Sequence, residues 1–510
     1  MRALISVYDK TGLVPFARAL AGLGWELVAS GGTASALEEA GLTVTRVEDV
    51  TGFPEMLDGR VKTLHPRIHA GILARRDVAD DLASLEAHDL QPFDLVCVSL
   101  YPFESAAEQS DSADSDVIEM IDVGGPAMLR AAAKNHASVT ALCRFEDYDG
   151  VLSELREHGA TSPESRRSLA ATAFATTAAY DAAIARWFQR DEDFPATISL
   201  AFDKALELAY GENPHQEAAY YIERGRRTQL LSRVEQLRGK PLSFNNLNDL
   251  SAARLLAREL DAPACVIVKH ATPCGVAVAA TIEDAYARAL AADPVSAYGG
   301  VVVLNRAVSA TLGEALAEQF VEVLFAPGYD EQAMEALARK TSIRVLNDTE
   351  RRGLTDLEPD YRRVFGGLLV QDRDWEIAGR DGMEVVCGDL SEEQWADLLF
   401  AWRVVKHVTS NAIVIARAGQ TIGIGAGQMS RVDAVRIAVE KARDLGHSLE
   451  GAVLASDAFF PFADGPHLAL DAGVSSFVQP GGSKRDAEVI EVVSAAGAAM
   501  VFTHRRHFRH

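Results

Sequence analysis

Valine-lysine-histidine occurs twice in this sequence, as Val268-Lys269-His270 and, 137 residues on, as Val405-Lys406-His407, each time beside a run of apolar and β-branched residues. A basic pair at the end of a buried strand is costly, because an ammonium without partners loses its hydration on burial. Burial also lowers lysine and histidine pKa values toward the range in which they move protons. The repeat therefore predicts a duplicated α/β unit in which at least one copy holds a catalytic site.

A second set of residues suits an anion. Ser30-Gly31-Gly32-Thr33 stands where a predicted strand meets a predicted helix, so its glycines permit close backbone approach and its free N–H groups and helix dipole favour a phosphate; a structural turn is an equal reading. The stretches from Arg60 to Pro66, with Lys62 and Thr63, and from Ala133 to His136, with Lys134 and Asn135, add cations and polar groups to the same region. Asp122 precedes a flexible Gly124-Gly125 turn, and Tyr101 follows a strand; taken singly, a helix-terminal aspartate and a packing tyrosine account for both.

Other patterns exclude chemistry. His65 and His69 have the spacing of a helical zinc pair, but Pro66 lies between them and no glutamate follows His65. The glycine-rich run from Thr421 to Arg431, expected after a strand, carries Gln428 where a dinucleotide fingerprint needs its third glycine, which disfavours NAD. Gly239-Lys240 is followed by Pro241 and is no phosphate loop. Pro273-Cys274 beside His270 outlines a zinc deaminase, yet Ala277 replaces the second cysteine. The clusters Tyr210 to Gln216 and Leu242 to Asp249 read as polar loops.

The elements that must position these residues follow from apolar strand-like runs alternating with alanine-rich amphipathic stretches, which makes the fold class α/β. Strands are predicted at Ala3 to Val7, Trp25 to Ala29, Leu95 to Leu100 and Val139 to Cys143, with a helix from Gly12 to Leu23. The acidic stretch Arg190 to Pro195 marks a boundary near residue 197, and a weaker join is expected between Glu350 and Tyr361. The 510 residues suit about three units of roughly 150 residues each. A net charge of -23 argues against nucleic-acid or anionic-membrane binding, so any phosphate must be held by local basic clusters. There is no secretory h-region and no run of about 18 apolar residues. Five dispersed cysteines suit reduced, mostly buried thiols, and a cytoplasmic protein is expected.

The chain resembles, essentially end to end, the bifunctional purine-biosynthesis family that joins 5-aminoimidazole-4-carboxamide ribonucleotide (AICAR) formyltransferase to inosine monophosphate (IMP) cyclohydrolase. The resemblance rests on Ser30 to Thr33, Arg60 to Pro66, His69 to Arg75, Ile121 to Gly125, Ala131 to His136, Tyr210 to Gln216, Val268 to His270, Ile422 to Arg431 and Ser456 to Phe462. It implies a methylglyoxal-synthase-like parallel-sheet domain over 1–197 and two cytidine-deaminase-like units without zinc, over 198–355 and 356–510. It implies formyl transfer from 10-formyltetrahydrofolate to AICAR, then dehydrative closure of formyl-AICAR to IMP. By the same resemblance Lys269, His270 and Asn411 serve formyl transfer, with Tyr210, Arg431, Phe459, Asp464 and Arg506 around the substrates. Lys62, Tyr101, Asp122 and Lys134 serve cyclisation, with Ser30, Gly31, Gly32, Thr33, Arg60, Thr63 and Asn135 binding the nucleotide. A homodimer is implied, with transformylase sites at its interface.

Three positions depart from the family pattern. Ala209 replaces an arginine that helps bind the AICAR phosphate, so weaker nucleotide binding is expected; Ser99 replaces an asparagine; His407 replaces a tyrosine, which suits a non-catalytic second copy. Two rival classes are a zinc nucleoside deaminase, which needs three protein ligands to its metal, and a purine-nucleotide-binding protein without turnover.

Overall fold

The computed structural model describes residues 1–109, 112–224, 234–350 and 359–510; the expected join at 355/356 lies outside the described residues. The chain forms two compact units, the first comprising Met1–Asp203 and a short return segment beginning at Ile222, the second most of the remainder.

In the first unit five parallel strands, β1 (Arg2–Val7), β2 (Glu26–Ala29), β3 (Thr45–Arg46), β4 (Leu95–Ser99) and β5 (Thr140–Leu142), are ordered β3-β2-β1-β4-β5. Ala3, Leu4 and Ile5 are fully buried because helices cover both faces, which is why these strands read as unbroken apolar runs. Leu13, Phe16, Leu37 and Val151 pack on one face and Ile68, Ile72, Met128 and Leu129 on the other. The strand order reverses between β1 and β4, and a crevice opens at their carboxyl ends. The strands and first helix expected from the sequence all form, with ends moved by one or two residues.

Strands β6 (Phe202–Leu208) and β7 (Ala218–Glu223) pair as a two-stranded sheet. The second unit is built on twelve strands: β8 (Val234–Arg238), β9 (Ala264–Lys269), β10 (Thr272–Val278), β11 (Gly300–Leu304), β12 (Val321–Ala326), β13 (Arg344–Asp348), β16 (Glu384–Cys387), β17 (Ile413–Arg417), β18 (Gln420–Gly425), β19 (Val453–Ser456), β20 (Ser476–Gln479) and β21 (Ala499–Phe502), while β14 (Pro359–Val364) and β15 (Gly367–Asp372) form a separate hairpin. Their order, β16-β21-β20-β19-β17-β18-β10-β9-β11-β12-β13-β8, is palindromic about the β18–β10 seam. That seam carries one ladder pair, Ala277 with Gln420, and is reinforced by the Thr421 hydroxyl, which accepts from Val276 N at 3.0 Å and donates to Val276 O at 3.3 Å.

The halves repeat in detail. Capping boxes at Ser243/Asn246 and Ser391/Gln394 start the helices Phe244–Arg258 and Glu392–Val405, which share one core on one face of the sheet. Gly275 and Gly423 each lie so close to the following helix that a side chain would strike a backbone carbonyl, Ala289 O or Ala438 O.

Three expectations need correction. The segment Leu242 to Asp249 is largely helix, because Ser243 caps a first turn whose asparagines suggest a loop. The glycine-rich run follows strand β17 as expected, and its glycines at 423 and 425 lie within β18 and make room for a helix. Val405-Lys406-His407 ends a helix, not a strand. The duplication is real, but its repeat length is 148, from Ser243 to Ser391, and the spacing of the two Val-Lys-His triplets is coincidental to it.

Candidate active sites

In the first unit the crevice at the β1–β4 switch point holds a cavity of about 580 Å³, lined by Ser30, Gly32, Thr33, Arg60, Lys62, Thr63, Tyr101 and Asp122, all expected from the sequence. The helix Gly31–Glu39 begins at the phosphate-type loop, so its free N–H groups face the crevice end of β2. Lys62 Nζ bonds Glu55 at 2.7 Å and packs over Gly31, at φ 42°, so closely that a side chain there would displace it. Arg60 pairs with Glu119.

Asp122 Oδ1 accepts from Gly125 N at 2.8 Å. Its burial raises the carboxyl pKa against the opposing pull of backbone N–H groups at Gly125, Tyr101 and Gly124. Tyr180 OH accepts from Asp122 N and donates to Met120 O, anchoring the turn. Gly125 is required because a Cβ would collide with the Asp122 carboxylate.

Lys134 and Asn135 do not line this cavity. Lys134 is exposed in the last turn of the helix Gly124–Lys134, and the buried Asn135 amide donates to Ile72 O and Ala74 O, which fixes a neighbouring helix end. The sequence reading missed Ser6, Tyr8 and Lys10, which also line the cavity. Lys10 Nζ donates to Val7 O and, at 3.3 Å, to Thr33 Oγ1, and desolvation lowers its pKa. The signal was available: these residues end the central strand, where open α/β sheets bind ligands.

In the second unit Lys269 and His270 lie on a cavity of about 300 Å³, together with Thr272, Cys274, Asp293, Ser296 and Lys441. Lys269 Nζ donates to Tyr298 O at 3.1 Å and Gly299 O at 2.9 Å. His270 is exposed on the two-residue turn between β9 and β10. Thr272 Oγ1 lies 3.5 Å from Thr409 Oγ1, which brings the turn beside the segment carrying Asn411.

Asn411 Oδ1 accepts from Arg431 Nη2 at 2.8 Å, and its Nδ2 donates to Gln428 O at 2.9 Å and Met429 O at 3.3 Å. Arg431 is buried and also bonds Ser456 and the fully buried Asp457. Its guanidinium is thus committed to bracing Asn411. Phe459 and Asp464 are exposed, Asp464 opening the helix Asp464–Ala472. Arg506 stacks over Phe508, and Tyr210 is half-buried beside the exposed Ala209.

Burial pushes the Cys274 thiol up to about 12, and its Sγ donates to Ile267 O. Among the described residues no three His, Cys, Asp or Glu side chains are gathered for a metal. No helix among them is long and apolar enough to cross a membrane.

A family model described as "AICARFT/IMPCHase bienzyme" matches residues 132–441, and an MGS-like domain matches residues 12–127. The chain belongs to the AICARFT/IMPCHase bienzyme family. Proteins called "Bifunctional purine biosynthesis protein PurH" are similar along its whole length: that of Cereibacter sphaeroides is 50% identical over 530 residues, covering 100% of this chain and 98% of its own. The Listeria monocytogenes protein is 49% identical, with 100% of both chains covered, and the Dinoroseobacter shibae protein 51%, covering 100% of this chain and 98% of its own. A crystal structure of ForH is 41% identical over 37% of this chain and 98% of that one, with a TM-score of 0.34. As a member of the bienzyme family the protein is a bifunctional enzyme of purine biosynthesis that formylates AICAR and then cyclises the product to IMP.

Proposed function

We propose that His270 is the base of formyl transfer and that the β1–β4 crevice performs the cyclisation. In the first step the AICAR amine, a poor nucleophile because its lone pair is delocalised into the ring, attacks the formyl carbon of 10-formyltetrahydrofolate. The amine loses a proton as the new C–N bond forms, and the folate nitrogen gains one as the old bond breaks. His270 accepts the first proton; Lys269 tunes it or delivers the second. General acid–base work of this kind is worth about 10²–10⁴ in rate. The observation that carries this reading is an exposed imidazole at the mouth of a cavity, next to an ammonium fixed by two carbonyls.

Asn411 has its amide spent on Arg431 and two carbonyls, which supports a role in holding the loop beside His270 rather than donating to an oxyanion. Tyr210 and Arg506 are assigned to AICAR, and Phe459 and Asp464 to the pocket shared by folate and substrate. In the crevice the helix start at Ser30 to Thr33, with Lys62, Lys10, Arg60 and Thr63, holds the phosphate. Tyr101 and Asp122 stand where the carboxamide nitrogen adds to the formyl carbon and water departs, a reaction that needs positioning and charge stabilisation above all.

The protein is read further as a cytoplasmic homodimer that binds neither nucleic acid nor membrane and holds no zinc. The charge of -23, Ala277 in place of the second cysteine of a zinc pair, and the exposed Phe365, Leu368 and Leu369 on the β14–β15 hairpin support this. Purified protein should convert AICAR and 10-formyltetrahydrofolate to IMP, and His270→Ala should abolish formyl transfer while sparing cyclisation of supplied formyl-AICAR. Full formyl transfer by His270→Ala would overturn the assignment of the base; one zinc per chain in metal analysis, or a mass of 54.9 kDa rather than twice that in sedimentation, would overturn the corresponding parts.

A further inference from the structure

The β9–β10 connection is unusual in its residues. Lys269 pairs with Thr272 across a two-residue turn, and the residues between them, His270 at φ 53° and Ala271 at φ 57°, are both left-handed. Tight hairpins of this kind normally place Asn, Asp or Gly at such positions, because a Cβ is unfavourable there. The compensation comes from the helix Phe244–Arg258. Asp249 Oδ2 accepts from His270 N at 3.1 Å and its Oδ1 accepts from Ala271 N at 2.7 Å. That helix is itself fixed by its capping box and by Asn246 Nδ2 donating to Glu322 at 2.9 Å.

The second half contains the same device without the chemistry. Arg417 pairs with Gln420, Ala418 and Gly419 sit at φ 51° and 71°, and the carboxylate of Asp397, 148 residues after Asp249, accepts from Ala418 N at 2.7 Å and Gly419 N at 2.6 Å. There one strained position has become glycine, and the residue equivalent to His270 is alanine.

We propose that Asp249 is a positioning residue for formyl transfer, clamping both N–H groups of the turn so that the His270 imidazole is held at the cavity mouth. The inference rests on the reading of His270 as the base. Asp249→Asn sets an amide NH₂ against one of the two N–H donors, so the turn loses half its clamp.

The test is steady-state kinetics on the full-length protein, with cyclisation of supplied formyl-AICAR as the internal control. Asp249→Asn should lower kcat for formyl transfer about 10–100-fold with KM for AICAR within about threefold of wild type. Adding Ala271→Gly should restore most of the loss, since glycine needs no clamp at that φ. Asp397→Asn should leave formyl transfer within about twofold of wild type, because its turn carries no reacting group. In a His270→Ala background Asp249→Asn should cost nothing more. Undiminished kcat in Asp249→Asn, an equal loss in Asp397→Asn, absence of rescue by Ala271→Gly, or a further loss in the double variant each overturns the positioning role. If His270→Ala alone retains transfer, the base is misassigned; if His270→Ala loses it and Asp249→Asn does not, only the positioning role falls.

Discussion

The same three residues, Val-Lys-His, end a strand in one half of the second unit and a helix in the other, and the surroundings give them opposite properties. Lys269 and His270 stand at a cavity, with the ammonium held by carbonyl oxygens and the imidazole exposed; among the described residues no carboxylate forms an ion pair with either. Lys406 and His407 are buried and both face Glu259, at 2.9 and 3.0 Å. Lys406 also donates to Trp375 O at 3.2 Å, and Arg509 Nη1 donates to His407 O at 2.9 Å. The buried Lys406 ammonium, paired with a carboxylate, is locked into the fold, whereas one held by carbonyls alone stays available to a ligand. On the proposed assignment of Lys269 and His270, the partners of a basic side chain, carboxylates or carbonyls, separate the two copies better than residue identity does.

The contrast can be broken most directly at its two ends. His270→Ala should cost formyl transfer about 10²–10⁴-fold, while His407→Tyr, measured in the same assay, should leave turnover of the folded protein unchanged. Glu259→Ala should do the reverse. Removing the acid strands the buried Lys406 ammonium and should destabilise the protein by about 3–5 kcal/mol in denaturant unfolding, with kcat per folded molecule intact. If Glu259→Ala instead impairs transfer at unchanged stability, the second triplet is not the structural one.

A finer probe is pH. Burial lowers the His407 pKa below 6.5, and Glu259 only partly opposes it. Above that value both folded and unfolded chains keep the ring neutral and the stability is fully present. As pH falls below it, the unfolded chain takes up a proton that the folded one refuses, and stability drops by up to about 1.4 kcal/mol per pH unit until the folded value is passed. Unfolding curves between pH 7 and 5 should show this slope in the native protein and a shallower one in His407→Tyr. The smallest effect is expected from Ala209→Arg, which restores a cation beside Tyr210. A partly exposed ion pair with the AICAR phosphate is worth about 0.5–1 kcal/mol, a KM for AICAR lower by about two- to fivefold.

Much of the first unit was legible because its strands are buried on both faces and its ligand groups fall at strand ends. Lys10 escaped notice because a lone lysine after a strand is ordinarily solvated; only the position of β1 at the switch point distinguishes it. In the second unit the duplication was inferred correctly from the wrong signal. A tripeptide of one β-branched and two basic residues suits a helix end as well as a strand end, since lysine and histidine complement the carbonyls of a last turn. The features that do repeat at 148 residues, a serine cap, a helix aspartate and a glycine facing the next helix, are single residues too common to be seen without the backbone. Asp249 was hidden in an asparagine-rich run that resembles a loop, because the amide side chains which favour turns also favour the first turn of a helix.

The palindromic sheet has one more consequence. In a dimer of identical subunits every substitution appears twice, so a residue useful at one site is imposed on its mate. Two halves fused in one polypeptide escape that obligation: position 270 carries histidine while position 418 carries alanine, and position 271 keeps alanine while position 419 has relaxed to glycine. On the proposed reading of His270, the reacting group and the relief of backbone strain fall to different copies of one repeated turn.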